Sequence, residues 1–164
     1  RAPRAARVSP RSRRLAAAAV VVAVALVVGF LWLRGSGDDD PFASYCSEVE
    51  NRREQVGAAL AAGPEVGLIR ALPSFEALEE KSPDDIRADW QLVVARITDL
   101  EKALSDAGVD AATYDREDPP ASVSADDRKA IDTAAVRLGS RETAAALSRV
   151  QQQARDVCKT PLSL

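Results

Sequence analysis

The sequence predicts an all-α protein: an N-terminal transmembrane helix followed by an extracytoplasmic antiparallel bundle of about four main helices, tied by one disulfide. Three observations carry this expectation. Residues 15–33 read LAAAAVVVAVALVVGFLWL, a run without a single charge. From residue 41 onward apolar residues recur at helical spacing, and no alternating strand pattern of any length is present. Cys46 and Cys158, the only two cysteines, stand near the two ends of that helical part.

The charge distribution divides the chain. Residues 1–34 carry seven Arg and no acid, whereas residues 38–164 hold all 25 acids against 15 bases. Two parts of opposite sign fit two different environments. The 19 uncharged residues of the run span about 28 Å as a helix, close to the roughly 30 Å hydrocarbon core. Arg13 and Arg14 lie just before the run and Arg34 just after it, followed by the acidic triplet Asp38 to Asp40. By the positive-inside bias this places the N-terminus in the cytoplasm and the acidic part outside, with Trp32 at the outer headgroup level. A cleaved signal peptide is the competing reading, with Ala23-Val24-Ala25 as its small-x-small site. Eight further apolar residues follow that site, which a cleaved signal does not need, so a permanent anchor is expected. Tyr45 is too bulky for the residue before a lipidated cysteine, and Cys46 lies far past the apolar run.

The expected organisation is a basic cytoplasmic tail at 1–14, the signal-anchor helix at 15–33, a flexible acidic tether at 34–40 and the helical bundle at 41–164. The tail has no aromatic residues to stack bases, so anionic headgroups rather than nucleic acid are its expected partner. Asp38 to Asp40 lack the spaced pattern of a calcium loop, and Gly35-Ser36-Gly37 lacks the context of a dinucleotide fingerprint.

Within 41–164 the first helix is expected from Pro41 to Ala62, stopped by Gly63-Pro64, with a seam of Phe42, Cys46, Val49, Val56 and Leu60. Arg53 falls where that seam calls for an apolar residue. Residues 65–81 read as one or two short turns interrupted by Pro73. The strongest helical pattern is 82–108, with Ser82 as N-cap, Pro83 at the first position, and Asp84 and Asp85 at the positive end of the dipole. Its Ile86, Trp90, Val93, Ile97, Leu100 and Leu104 keep the alternating 4-3 spacing of a packed seam, and Gly108 ends it. The linker 109–123 contains DREDPP, which cannot continue a helix. Ser124 opens another helix carrying Ile131, Ala135 and Leu138, and Gly139 stops it. Ser140 caps the last helix, whose seam is Leu147, Val150, Ala154 and Val157, closed by Thr160-Pro161. Abundant alanine and only seven aromatic residues suit close packing of helices through small side chains.

An exported domain sits in an oxidising setting, so Cys46 and Cys158 are expected to pair. Two cysteines without any histidine leave a tetrahedral metal site incomplete, and no cofactor is expected. The bridge also constrains topology. Antiparallel helices with short loops bring the start of the first and the end of the last together only when the number of crossings is even.

Phe42 with Tyr45-Cys46, SPDDIRADWQLV at 82–93 and RDVCK at 155–159 resemble a broad actinobacterial group of small exported or membrane-anchored helical proteins with such a cysteine pair. The resemblance implies a disulfide-tied helical fold outside the membrane and brings no catalytic residues. Many members of that group resemble lipoproteins, and this chain departs in lacking a lipidation site.

Catalysis is not expected. The absence of histidine removes the commonest neutral-pH base and metal ligand. No G-x-S-x-G elbow, P-loop or H-E-x-x-H is present. Adjacent acids such as Glu79-Glu80, Asp84-Asp85 and Asp126-Asp127 diverge on a helix, so a carboxylate-dependent hydrolase would need acids brought together across the fold. The sequence points instead to a non-catalytic, membrane-tethered interaction module, an accessory subunit of an envelope protein complex. Its alternative is a carrier with a lipid or small-ligand cavity between helices. Arg53 and Trp90 are the candidate ligand or partner residues, against the plainer expectation that Arg53 is acid-paired and Trp90 is core.

Overall fold

The structure, a computed structural model, describes residues 40–164. Five helices follow one another: α1 (Ala43–Leu60), α2 (Pro64–Lys81), α3 (Asp84–Asp106), α4 (Ala125–Leu138) and α5 (Arg141–Gln153), the last continued by a π-helical turn, Ala154–Cys158. No strand is present among the described residues. The expected anchor at 15–33 and most of the tether lie outside the described residues. Among the described residues no helix is long and apolar enough to cross a membrane.

The 4-3 seam makes α3 the central element. Ile86, Trp90, Val93, Ile97, Leu100 and Leu104 are all buried, and α2, α4 and α5 each pack on this helix. Gly108 ends α3 because its φ of +68° lets its own N–H donate to the Ser105 carbonyl (3.0 Å) while the Val109 N–H reaches the Leu104 carbonyl (3.0 Å). This is a Schellman closure, which favours glycine at the left-handed position.

Segment 64–81 corrects the expectation of short turns, for it is one continuous helix with Pro73 inside it. An interior proline removes the bond to the carbonyl four residues back, at a cost of about 3 kcal/mol. Here Pro73 lies on the exposed side, whereas Ala71, Leu72, Phe75 and Leu78 on either side of it are buried. Burial of that face outweighs the lost bond, at roughly 1.5–3 kcal/mol for each large apolar side chain. A second correction follows at its end. Ser82 does not cap α3; its hydroxyl donates to the Glu79 carbonyl (2.6 Å) and closes α2, and Pro83 takes the N-cap position of α3.

The expected count of four main helices is also corrected, yet the parity argument holds in a different form. Leu100 and Leu104 of α3 meet Ile131 and Ala135 of α4. Val93 and Ile97, earlier in α3, meet Leu138, Thr143 and Leu147. Asp89, earlier still, pairs with Arg149 of α5. Thus α4 and α5 run in the same direction, one after the other, antiparallel to α3. They form a single crossing, broken where Ser140 takes an extended conformation (φ −67°, ψ 156°). Five helices make four crossings. Ser124 and Ser140 cap α4 and α5 as the sequence indicates, accepting from Asp127 N–H (3.1 Å) and Thr143 N–H (3.2 Å).

The first helix begins at Ala43 rather than Pro41, and Tyr45 rather than Phe42 is its buried aromatic residue. It packs on α2 and on the π-helical turn. Cys46 and Cys158 are bonded there, with Cα atoms 5.0 Å apart. Lys159, in the left-handed region at φ +58°, turns the chain back along α1. Leu162 is buried, and the Leu164 N–H donates to the Arg53 carbonyl at 3.3 Å. Gly57 admits this approach, since a Cβ there would stand 2.6 Å from the Leu164 carbonyl oxygen.

The bridge closes a separation of 112 residues, so the chain-entropy account assigns it about 4–5 kcal/mol of stability. Urea unfolding of the full chain, oxidised against reduced, should show a loss of that order. A Cys46→Ser, Cys158→Ser double variant should behave as the reduced chain does, and unchanged midpoints would exclude a stabilising bridge.

Candidate functional site

Trp90 sits at the centre of the core. Its ring is fully buried, tilted at 52° against Phe75 with centroids 5.6 Å apart, and its Nε1–H donates to the Tyr45 hydroxyl at 3.1 Å. Without that hydroxyl the indole donor would be buried unpartnered, so the hydrogen bond joins α1 to α3 through a group that has no access to water. Burial, and to a lesser degree the nearby Asp85 charge, pushes the Tyr45 phenol above its ordinary value of 10.0, although the bond from Trp90 pulls it down.

Arg53 occupies the polar position in the α1 seam. Its guanidinium donates to the Thr160 hydroxyl at 2.9 Å and lies 3.2 Å from the Glu50 carboxylate. The side chain therefore holds the returning 159–164 segment against α1, half-buried between them. The structure does not bring Arg53 and Trp90 into a shared cavity. Arg13, Arg14, Trp32 and Arg34 lie outside the described residues.

One acid of each adjacent pair named from the sequence is engaged locally. Asp84 accepts from Arg87, Glu80 pairs with Lys81, and Asp127 accepts from the Ser124 hydroxyl. Asp89 receives both arms of the Arg149 guanidinium, with Nε to Oδ2 at 2.8 Å. This bond is the main reason the Arg149 pKa is raised, as the bond from Lys81 to Glu80 raises that of Lys81. Among the described residues no group of three His, Cys, Asp or Glu is placed to hold a metal ion.

A concave feature lies at the break between α4 and α5. Leu68 of α2, Val93 and Ile97 of α3, Leu138 and Gly139 at the end of α4, and Thr143, Ala144 and Leu147 of α5 line a notch of about 140 Å³. The break explains it. Ser140, extended at φ −67° and ψ 156°, turns the backbone aside between the end of α4 and the start of α5. The Thr143 hydroxyl, the one side-chain polar group in the lining, already donates to the Arg137 carbonyl at 2.9 Å. The notch therefore presents mostly apolar surface. Val136 and Leu164 are the large apolar residues that stand mostly exposed among the described residues.

No family model matches the chain, and no curated protein or solved structure matches it either.

Neither the core role of Tyr45 nor the notch was indicated by the sequence. The seam reading of α1 started one residue off, at Phe42 and Cys46, although Tyr45, Val49 and Val56 keep a 4-7 spacing that marks the buried face. The notch has no linear signal, because four helices contribute to it.

Tyr45→Phe should destabilise the chain by about 1–3 kcal/mol, the usual cost of leaving a buried donor unsatisfied. Adding Trp90→Phe to it should cost less than the sum of the two single changes, measured by urea unfolding. Additive losses would exclude the bond as a contributor. The raised phenol pKa has a pH consequence of definite sign. Its contribution is complete below the unfolded value, about 10, and is lost as pH rises through the higher folded value. Unfolding followed between pH 9 and 11.5 should therefore show alkaline destabilisation that Tyr45→Phe reduces.

Proposed function

We propose that this chain is a membrane-tethered, extracytoplasmic interaction module that docks onto an envelope protein. Residues 15–33 serve as the anchor in this reading, 34–40 as the tether, and 41–164 as the docking domain. The observation that carries it is the Cys46–Cys158 bridge, a feature of oxidising compartments, beginning only a dozen residues past an uncharged span with arginines on its near side.

Charge supports the class of partner. Residues 41–164 hold 22 acids and 15 bases, a net charge of −7, which favours a basic surface and makes association sensitive to salt. Shape argues against the carrier reading. Two concavities reach the roughly 300–1,000 Å³ usual for small ligands, at about 650 and 470 Å³, but both are open surface grooves along α4 lined by charged residues such as Lys129 and Arg137, and the apolar notch at the α4–α5 break is about 140 Å³. A lipid chain of ordinary length has no room there.

Chemical crosslinking of the full chain in its native membrane, followed by purification and mass spectrometry, tests the proposal. A stoichiometric protein partner whose recovery falls as salt rises from 50 to 500 mM is the expected outcome. Recovery of the chain alone, or with lipid only, would overturn it.

A further inference from the structure

The outer face of α4 carries the opposite charge from the domain around it. Residues 41–164 have a net charge of −7, yet Arg128, Lys129 and Arg137 stand exposed along this helix. None of the three enters an ion pair among the described residues. Lys129 and Arg137 are eight positions apart, about 12 Å along the helix axis. All three line the open groove of about 650 Å³, and Val136, 67% exposed, lies in it with them. Asp132, the acid of that groove, is already paired with Arg116 of the linker at 2.9 Å.

The same ion pair fastens the linker beside this face. On either side of Arg116 in the chain stand Asp115, Glu117 and Asp118, all exposed. Asp115 accepts from the Glu117 backbone N–H at 2.8 Å, and none of these acids enters an ion pair among the described residues. With Arg116 turned to Asp132, this part of the loop presents acid alone. Pro119-Pro120 follows and stiffens it, and Pro120 is exposed. Uncompensated acids and uncompensated cations therefore share one face, and neither set neutralises the other within the chain.

We propose that this face is a self-association surface, on which the Asp115–Asp118 loop of one copy lies over Arg128, Lys129 and Arg137 of a second copy. A two-fold axis lying in the face, between the loop and α4, makes this contact twice. Symmetry makes the match automatic, since the spacing from loop to helix is the same in both copies. Val136 and the partner copy's proline pair then form an apolar middle between the two charged contacts. Two domains of −7 repel at long range, but salt near 0.15 M screens charges beyond about 8 Å. At contact each cation faces an acid. Pairing of this kind closes at two copies and leaves the remaining acidic surface open to a basic partner.

The test uses the full chain in its native membrane, with a photoreactive benzoylphenylalanine in place of Thr133, an exposed residue between Lys129 and Arg137. The expected product is a covalent dimer crosslinked to residues 115–123 of the second copy. Reversing the loop (Glu117→Lys with Asp118→Lys) should lower the dimer yield about tenfold or more, because like charges then meet across the contact. Reversing the helix (Arg128→Glu, Lys129→Glu and Arg137→Glu) should do the same. All five positions are exposed, and thermal unfolding checks that each variant is folded.

The two reversed chains expressed together decide the matter. In the mixed pair the acidic helix of one meets the basic loop of the other, and the two unchanged patches meet as before. The yield of mixed dimer should return to the parent level. A dimer that survives either reversal unchanged would overturn the proposal, as would a mixed pair that fails to recover. Adducts only on lipid or on another protein, or no adduct at all, would overturn it too.

Discussion

The buried seam of α3 places most of what surrounds it. Its six residues at 4-3 spacing form one continuous apolar stripe, and α2, α4 and α5 each cover part of it. The helices α4 and α5 touch each other little, so neither positions the other; both are set by α3. Their buried residues are small or branched, with Ala134 and Ala135 in α4 and Thr143, Ala146 and Val150 in α5. Small side chains bring the helix axes close, and close approach buries the larger residues of α3 completely. The first helix is the exception. It reaches α3 through the Tyr45 hydroxyl and otherwise rests on α2 and on the π-helical turn, which is where the disulfide is found.

Much of this arrangement was legible in the sequence because the governing signals are local. The α3 stripe, the serine caps at 124 and 140 and the stop at Gly139 are each visible in a short window, and the disulfide follows from there being only two cysteines. The segment 64–81 was not, because Pro73 penalises a helix locally while the burial of Leu72, Phe75 and Leu78 that outweighs it is tertiary. Ser82 misled for a related reason. A serine between two helices can end one or begin the next, and only the position of its hydroxyl, bonded to the Glu79 carbonyl, decides which. The parity of crossings was right in outcome although its members were misassigned. Residues 64–81 add a crossing that the sequence did not indicate, and the alignment of α4 with α5 removes one.

The candidate site was the least legible part, and the reason is geometric. Arg53 and Trp90 attract notice as exceptions to a pattern, a charge in a seam and a large aromatic in a helix. The first ties the returning chain to α1 and the second fills the core. The notch comes from a gap instead: a break between two helices that cover one continuous seam. Nothing in any one segment announces it, since its walls come from four helices separated by up to 79 positions, from Leu68 to Leu147. Exceptions can be read along a chain, whereas gaps between elements appear only once the elements are assembled.

The break at Ser140 has a consequence for how the domain opens. The disulfide fastens the end of α5 to the start of α1, but α4 and the 107–124 linker lie outside that clamp, attached through the terminal half of α3 and the buried Val123. A continuous fourth helix would make the two halves rise and fall together. Divided as it is, residues 107–138 form a natural cooperative unit that can exchange its amide hydrogens while α5 stays fastened.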